Sequence, residues 1–296
     1  MNFRTPLFCL LFLLSTPAVV SANAITVTDY SGAVITLDKP AKRIVSLAPH
    51  ITENIFSAGA GELLVGVMAY SDYPEAAKKL PIVGSAHGVS IEKVISLSPD
   101  LIIAWSSGVS EKVLSSLKGF GIPVYLDEPK TLENIAKSIE DIGHLADRSS
   151  ISKAVVNRYL RELTILRDQY SGRRAVSVLY QVWHEPLMTL NGSHIVSDVI
   201  RLCGGRNSFA DAAVIAPQIS IESVLAHDPD TIITSGVGDE LPASLRLWEA
   251  WPQLSAVKNE HLFLMPPDIL QRHSIRLLQA AEILCEHLQQ VRNILK

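Results

Sequence analysis

The chain has 296 residues, of which 48% are hydrophobic and 19% charged, with a formal net charge of −4 at pH 7. That length accommodates one large domain or two of ordinary size, each with a sizeable core. The charge balance excludes the basic footprint of a nucleic-acid binder, and no long run of one sign occurs.

Residues 1–24 read as a signal peptide. Arg4 precedes an apolar run from Pro6 to Leu14, too short to span a bilayer, and the small residues beyond it permit cleavage after Ala22 or Ala24. Cys9 sits inside the run after Phe8, where lipoprotein processing needs a small residue. The mature chain is therefore expected to be exported and soluble. Cys203 and Cys285 then remain, and in an oxidising compartment they form one disulfide or stay as two buried thiols.

The mature chain opens with "ITVTD" and "VITL", a strand pair around the turn at Ser31-Gly32. "RIVSLA" reads as a buried strand. Thr52 is placed to cap the helix "ENIFSAGA", which Gly59 and Gly61 end. "LLVGV", "LIIAW" and "IPVYLD" are further apolar strands with helical patterns between them. Such alternation predicts parallel sheets with helices on both faces. Residues 25–147 form the expected N-terminal α/β lobe. Helical spacing then persists for over twenty residues, from Ser149 until Gly172 stops it, so 148–172 reads as a connecting helix. "AVSVLYQVW" restarts the α/β pattern, "TIITS" and "LFLMP" continue it, and a long amphipathic helix closes the second lobe, 173–296. The expected fold class is α/β: two Rossmann-like lobes with central parallel sheets, one long rigid helix between them, and a ligand cleft between the lobes.

The two halves share a sentence. "SIEKVISLSPDLIIAW" begins at Ser90 and "SIESVLAHDPDTIITS" at Ser220, with S-I-E-x-V, P-D and x-I-I in common. Each copy reads as a helix, a turn and a strand. Ser90 and Ser220 stand at the N-cap, Glu92 and Glu222 in the first helical turn, and the two Pro-Asp pairs in the turn before the strand. A first-turn carboxylate complements the helix dipole. The sharper reading is a matched acidic knob on each lobe for a two-fold partner.

The chain contains no G-x-S-x-G, H-E-x-x-H, Walker A or G-x-G-x-x-G motif, and its nine histidines form no metal-ligand spacing. The inventory is that of a binder. Aromatics stand at strand ends: Tyr70 and Tyr73 in "YSDYP", Trp105 after "LIIA", Trp183 after "YQV". Ligands of open α/β sheets bind there. Asp268 and Arg272 follow the strand "LFLM" and can bond a polar ligand edge or each other. His87, in "GSAHGVS", can face the cleft or coordinate a metal carried by a ligand; no resident metal or cofactor is expected.

These segments together resemble the periplasmic solute-binding proteins of ABC importers for cobalamin, haem and iron-siderophores. The likeness runs from "RIVSLAPHITE" through "LLVGVMAYSDYP", "LCGGRNSF" and "PQISIESVLAHDPDTIITS" to "RLLQAAEILCEHL". It implies a monomeric, non-enzymatic binder whose transported ligand is cobalamin or a related corrinoid, delivered to an ABC permease dimer. Haem or an iron-siderophore is the alternative. It implies that Glu92 and Glu222 dock onto the permease and that Cys203 pairs with Cys285. It assigns Tyr70 and Trp105 to the walls of the cleft, and Asp268 and Arg272 to the corrin edge. Two cleft tryptophans of cobalamin-binding members fall at Ala86 and Ala216, with Trp183, or Trp248 and Trp251, as candidate replacement surface.

Overall fold

The computed structural model describes residues 24–236 and 243–295, so the leader reading lies outside the described residues as far as Asn23. A hairpin of β1 (Ile25–Thr28) and β2 (Val34–Leu37) leads in. The first half runs β3 (Ile44–Ser46), α1 (Pro49–Ser57), β4 (Leu64–Met68), β5 (Ile82–Ser85), β6 (Gly88–Val89), α2 (Ile91–Ser96), β7 (Leu101–Trp105), α3 (Glu111–Gly119), β8 (Val124–Asp127) and α4 (Leu132–Leu145). Helix α5 (Ser149–Tyr170) crosses to the second half. There follow β9 (Val176–His184), β10 (Leu187–Thr189), α6 (Ile195–Leu202), β11 (Gly205–Asn207), α7 (Ile221–His227), β12 (Thr231–Ser235), α8 (Ala243–Arg246), α9 (Ser255–Lys258), β13 (Leu262–Met265), α10 (Pro267–Leu270) and α11 (Leu277–Ile294).

The first sheet has the order β6-β5-β4-β3-β7-β8, parallel except for β6. The second has the order β10-β9-β12-β13, with β11 beside the start of β9; β9, β11, β12 and β13 are parallel. Both sheets are buried on both faces, which is why their strands read as unbroken apolar runs. Side chains alternate between faces with period two. Ile44, Leu101 and Ile103 point into one core, while Val45, Ile102 and Ala104 point into another. In the second sheet Val178 and Ile233 separate from Leu179 and Ile232 in the same way.

The first of these cores does not stop at a lobe boundary. It takes Ile135 and Ile139 from α4, Val156, Tyr159 and Leu163 from α5, Val199 from α6 and Leu284 from α11. The α5 helix is thus embedded in packing shared by both sheets, and an interior of crystalline density resists large lobe rotation. Cys203, just after α6, is bonded to Cys285 in α11. The alternative of two free thiols falls, and the cross-link between residues 82 apart stabilises the second lobe by about 4.5 kcal/mol on a chain-entropy argument.

The repeat has a structural cause. Ser90 Oγ accepts from the Lys93 amide and Ser220 Oγ from the Ser223 amide, so both serines cap as expected. The aspartates do more than turn the chain. Asp100 accepts from the amides of Lys42 and Arg43, just before β3, and Asp230 from the amide and hydroxyl of Ser177 in β9. Each Pro-Asp turn therefore clamps the start of the neighbouring parallel strand, once per lobe. Thr52 does not cap α1. Pro49 occupies the first turn, where its fixed φ suits a helix start and its missing N–H costs nothing, and Ala48 is the N-cap. Thr52 lies inside the helix, its hydroxyl within hydrogen-bond distance of Ser46 Oγ and Ser71 Oγ.

Candidate functional site

The carboxyl ends of the two sheets face one cleft. From the first lobe come Pro49 and His50 after β3, Tyr70 after β4, Trp105 and Ser107 at the end of β7, and Glu128 and Lys130 after β8. From the second come His194 after β10, Ile215 and Ala216 after β11, and Asp268, Arg272 and His273 after β13. The cleft has two compartments, one of about 300 Å³ around Tyr70 and Arg272, the other of about 250 Å³ around Ser107 and His194. Trp105 and His273 line both and form the partition. Each compartment alone is at or below the small end of the range for drug-sized ligands, so a larger ligand has to engage both.

Tyr70 stands at the rim, 76% exposed, with φ +66°. A bulky residue in the left-handed region is strained, and such strain is kept where the surrounding structure aims a side chain. The rest of its loop is fastened: Ser71 Oγ accepts from Thr52, and Asp72 accepts from Arg272 at 2.6 Å. Trp105 is held from below by Gly108, where a Cβ would come within 2.1 Å of the indole.

A buried hub joins the lobes behind this wall. Glu53 of α1 is 2% exposed and accepts from Arg272 at 2.9 Å, from Arg276 at 3.1 Å and from the Ser274 hydroxyl. Arg272 also donates to Asp268 at 3.1 Å. Burial opposes its charge, but the bonds to Asp72 and Glu53 prevail and hold it protonated more firmly than an ordinary arginine. The predicted Asp268–Arg272 pair is therefore present, with Arg272 also spanning the lobes. Arg276 lies over the Tyr73 ring at 4.1 Å. A further cavity, about 480 Å³, opens on this far side among α1, α5 and α11, away from the strand ends.

Three imidazoles make the floor. His50 and His273 are 5.4 Å apart between centroids, His273 and His194 5.5 Å, and Trp105 sets its edge to His50 at 5.4 Å. Burial first, then the charges of His273 and Arg272, push His50 well below the usual histidine value. Burial, with a smaller contribution from His273, pushes His194 down to about 4. Burial likewise takes His273 to about 4, against the pull of the Pro129 carbonyl. Below His50, Asp127 is fully buried and raised to about 7 by that burial, against its bond from Ser138; its Oδ2 lies 4.0 Å from His50 Nε2. Among the described residues no group of three or more His, Cys, Asp or Glu is disposed to hold a metal ion.

These shifts set opposite pH dependences. The histidines take up protons on unfolding, so their contribution is complete above the ordinary value of about 6.5 and is lost as pH falls towards about 4. Asp127 contributes stability below the ordinary carboxylate value of about 3.9, lost as pH rises through about 7. Between pH 6.5 and 4 His273 alone accounts for roughly 3 kcal/mol. Urea titrations across that window should show stability falling towards acid, and falling less steeply in His273→Gln. Equal slopes would refute the assignment.

Of the residues singled out in sequence, the cleft gathers Tyr70, Trp105, Ala216, Asp268 and Arg272. His87 and Ala86 are exposed in the turn between β5 and β6 and line neither compartment. Trp183 is 56% exposed near the end of β9, past the level of Ser235, where its indole N–H donates to the Glu185 carbonyl. Trp248 is not replacement cleft surface: it is fully buried, its Nε1 donating to Gln181 Oε1 at 2.7 Å in the core of the second lobe. Trp251 packs against the same core. Glu92 and Glu222 are exposed in the first turns of α2 and α7. The sequence reading missed His50, His194, His273 and Glu53. Their one signal was position: His50 and His194 each follow a strand by a few residues, and His273 follows the short helix α10 that succeeds β13.

The chain is 40% identical over 251 residues to a vitamin B12-binding protein of Vibrio cholerae, covering 84% of this chain and 90% of that one. The same comparison gives 34% identity to a vitamin B12-binding protein of Yersinia pestis, over 85% and 88% of the two chains. The crystal structure of the periplasmic vitamin B12-binding protein BtuF of Vibrio cholerae superposes with a TM-score of 0.78 at 39% identity, covering 85% of this chain and 98% of that one. No helix among the described residues is long and apolar enough to cross a membrane. The family of periplasmic binding proteins matches residues 44–269, and the chain belongs to that family.

Proposed function

We propose that this chain captures cobalamin, or a related corrinoid, in the periplasm and delivers it to the permease dimer of an ABC importer. In this reading the leader 1–24 is removed on export. The lobes 25–147 and 173–296, joined by helix 148–172, act as a monomer that binds without chemistry and carries no cofactor. The observation that carries the reading is Trp105, a strand-end indole that partitions an interlobe cleft and is shared by both of its compartments. With Tyr70 it offers flat apolar surface at low rotamer cost, suited to the edge and face of a macrocycle. The vitamin B12-binding relatives, similar over most of the chain, support the same ligand. Asp268 is placed to meet a polar ligand edge, and Trp183 to add surface if the hairpin it stands on folds over the mouth. Glu92 and Glu222 are the docking residues.

Titration of the mature protein with cyanocobalamin, haemin and a ferric siderophore, followed by calorimetry and visible spectra, tests the ligand. One-to-one binding of cyanocobalamin is expected, weakened about tenfold in Trp105→Ala, in line with the energy of one aromatic contact. Binding of haemin or the siderophore in its place overturns the cobalamin reading.

A further inference from the structure

We propose that His194 reads the ligand in the cleft, its Nε2–H donating to a carbonyl oxygen on the rim of an uncharged, amide-bearing ligand. The proposal rests on the cobalamin reading and deepens it. The tautomer follows from geometry. His194 is the N-cap of α6, and its Nδ1 accepts the Val196 amide at 3.2 Å. An imidazole nitrogen that accepts carries no proton, so the neutral ring has its hydrogen on Nε2. None of the described residues accepts that hydrogen, and the ring lines the second compartment.

The charges around it select against an anion. Burial keeps the three floor imidazoles neutral at the pH of ordinary buffers. Arg272, the strong cation of the cleft, is already engaged by Glu53, Asp72 and Asp268. Lys130 and Glu128 face the same compartment and offset each other. A free carboxylate entering here gives up its water and finds no net positive charge, because Glu128 faces the same space as Lys130, and that is costly. A neutral amide gives up less, and its oxygen meets a positioned donor. Two further polar atoms of the partition, Trp105 Nε1 and His273 Nδ1, are buried without a partner among the described residues. Buried polar groups are rarely left so, but these two have almost no accessible surface, so His194 Nε2–H is the donor of this wall that lines the second compartment.

The test compares wild type with His194→Ser, which keeps a capping oxygen, using cyanocobalamin and its monocarboxylic acids, each with one peripheral amide hydrolysed. We expect the substitution to weaken cyanocobalamin binding about tenfold, the effect of one buried hydrogen bond, with the thermal midpoint nearly unchanged. We also expect wild type to disfavour at least one of the acids and the variant to lose that preference. Should the serine variant fold poorly, His194→Asn caps the helix equally well and gives the same reading. In wild type labelled with ¹⁵N-histidine, ligand should shift the Nε2 resonance and slow exchange of its proton. Affinity within twofold of wild type, or an unmoved Nε2 resonance at saturation, overturns the proposal while leaving the cobalamin reading intact. Failure of wild type to bind any cobalamin overturns both.

Discussion

Glu53→Ala is expected to lower folding stability by about 3–5 kcal/mol, the usual cost of removing one partner from a buried ion pair. The carboxylate sits on α1 of the first lobe, and the groups it accepts from, Arg272, Ser274 and Arg276, all belong to the second. Arg272 retains Asp72 and Asp268 when Glu53 is lost. Arg276 retains the Tyr73 ring, and Ser274 loses its carboxylate partner. The cost therefore falls mainly on Arg276 and Ser274, both buried or nearly so, and on the contact between the lobes. Glu53→Gln keeps one oxygen for Ser274 or an arginine and should lose less. Urea unfolding at pH 7 measures both. A loss below 1 kcal/mol in Glu53→Ala, an order of magnitude set by exposed pairs, would mean that the hub is a surface ion pair in energetic terms. Loosening this contact should also raise the ligand dissociation rate without touching any ligand-facing atom.

The hub shows where sequence reading runs out. The strands were legible because both faces of each sheet are buried, so "LIIAW" is apolar at every step and "IVSL" at every step but Ser46. The two helix-turn-strand repeats were legible because local chemistry dictates them: a serine cap, a first-turn glutamate, a proline that ends the helix. The clamp made by Asp100 and Asp230 was not, since the strands they fix lie over fifty residues away. Glu53 and its arginine partners are separated by 219 and 223 positions, and no local period connects them. The floor histidines were passed over for a related reason. Each is a lone histidine in its own segment: His194 and His273 meet within the second lobe from positions far apart in the chain, and only the approach of the two lobes brings His50 to His273. Trp248 erred in the other direction. Its indole N–H finds Gln181 inside the core, so an aromatic with a polar handle became structure rather than cleft. The three-residue strands β10 and β11 carry too few positions for a period to register.

Glu92→Arg combined with Glu222→Arg is expected to reduce transporter-dependent uptake by more than about tenfold, because rim charges govern orientation and encounter while like charges reject the partner. The proposed docking places one carboxylate on each lobe, exposed in the first turn of α2 and α7. Both helices keep their caps without these side chains, since Ser90 and Ser220 bind the amides of Lys93 and Ser223 themselves. The Glu222 carboxyl is held below its usual range by its own backbone amide and by Ser220, a local tie rather than a tertiary one. Reversal should therefore leave the unfolding midpoint and the affinity for cyanocobalamin close to wild type. Neither residue lines the cleft, so a loss of uptake with intact binding isolates the encounter with the permease. Each single reversal should give a smaller loss, and raising ionic strength should weaken wild-type delivery more than that of the double variant, as screening removes an attraction the variant no longer has. Uptake equal to wild type in the double variant, with ligand binding preserved, removes the paired glutamates from the docking surface and returns them to the role that their position alone supports, complementing the dipoles of two short helices.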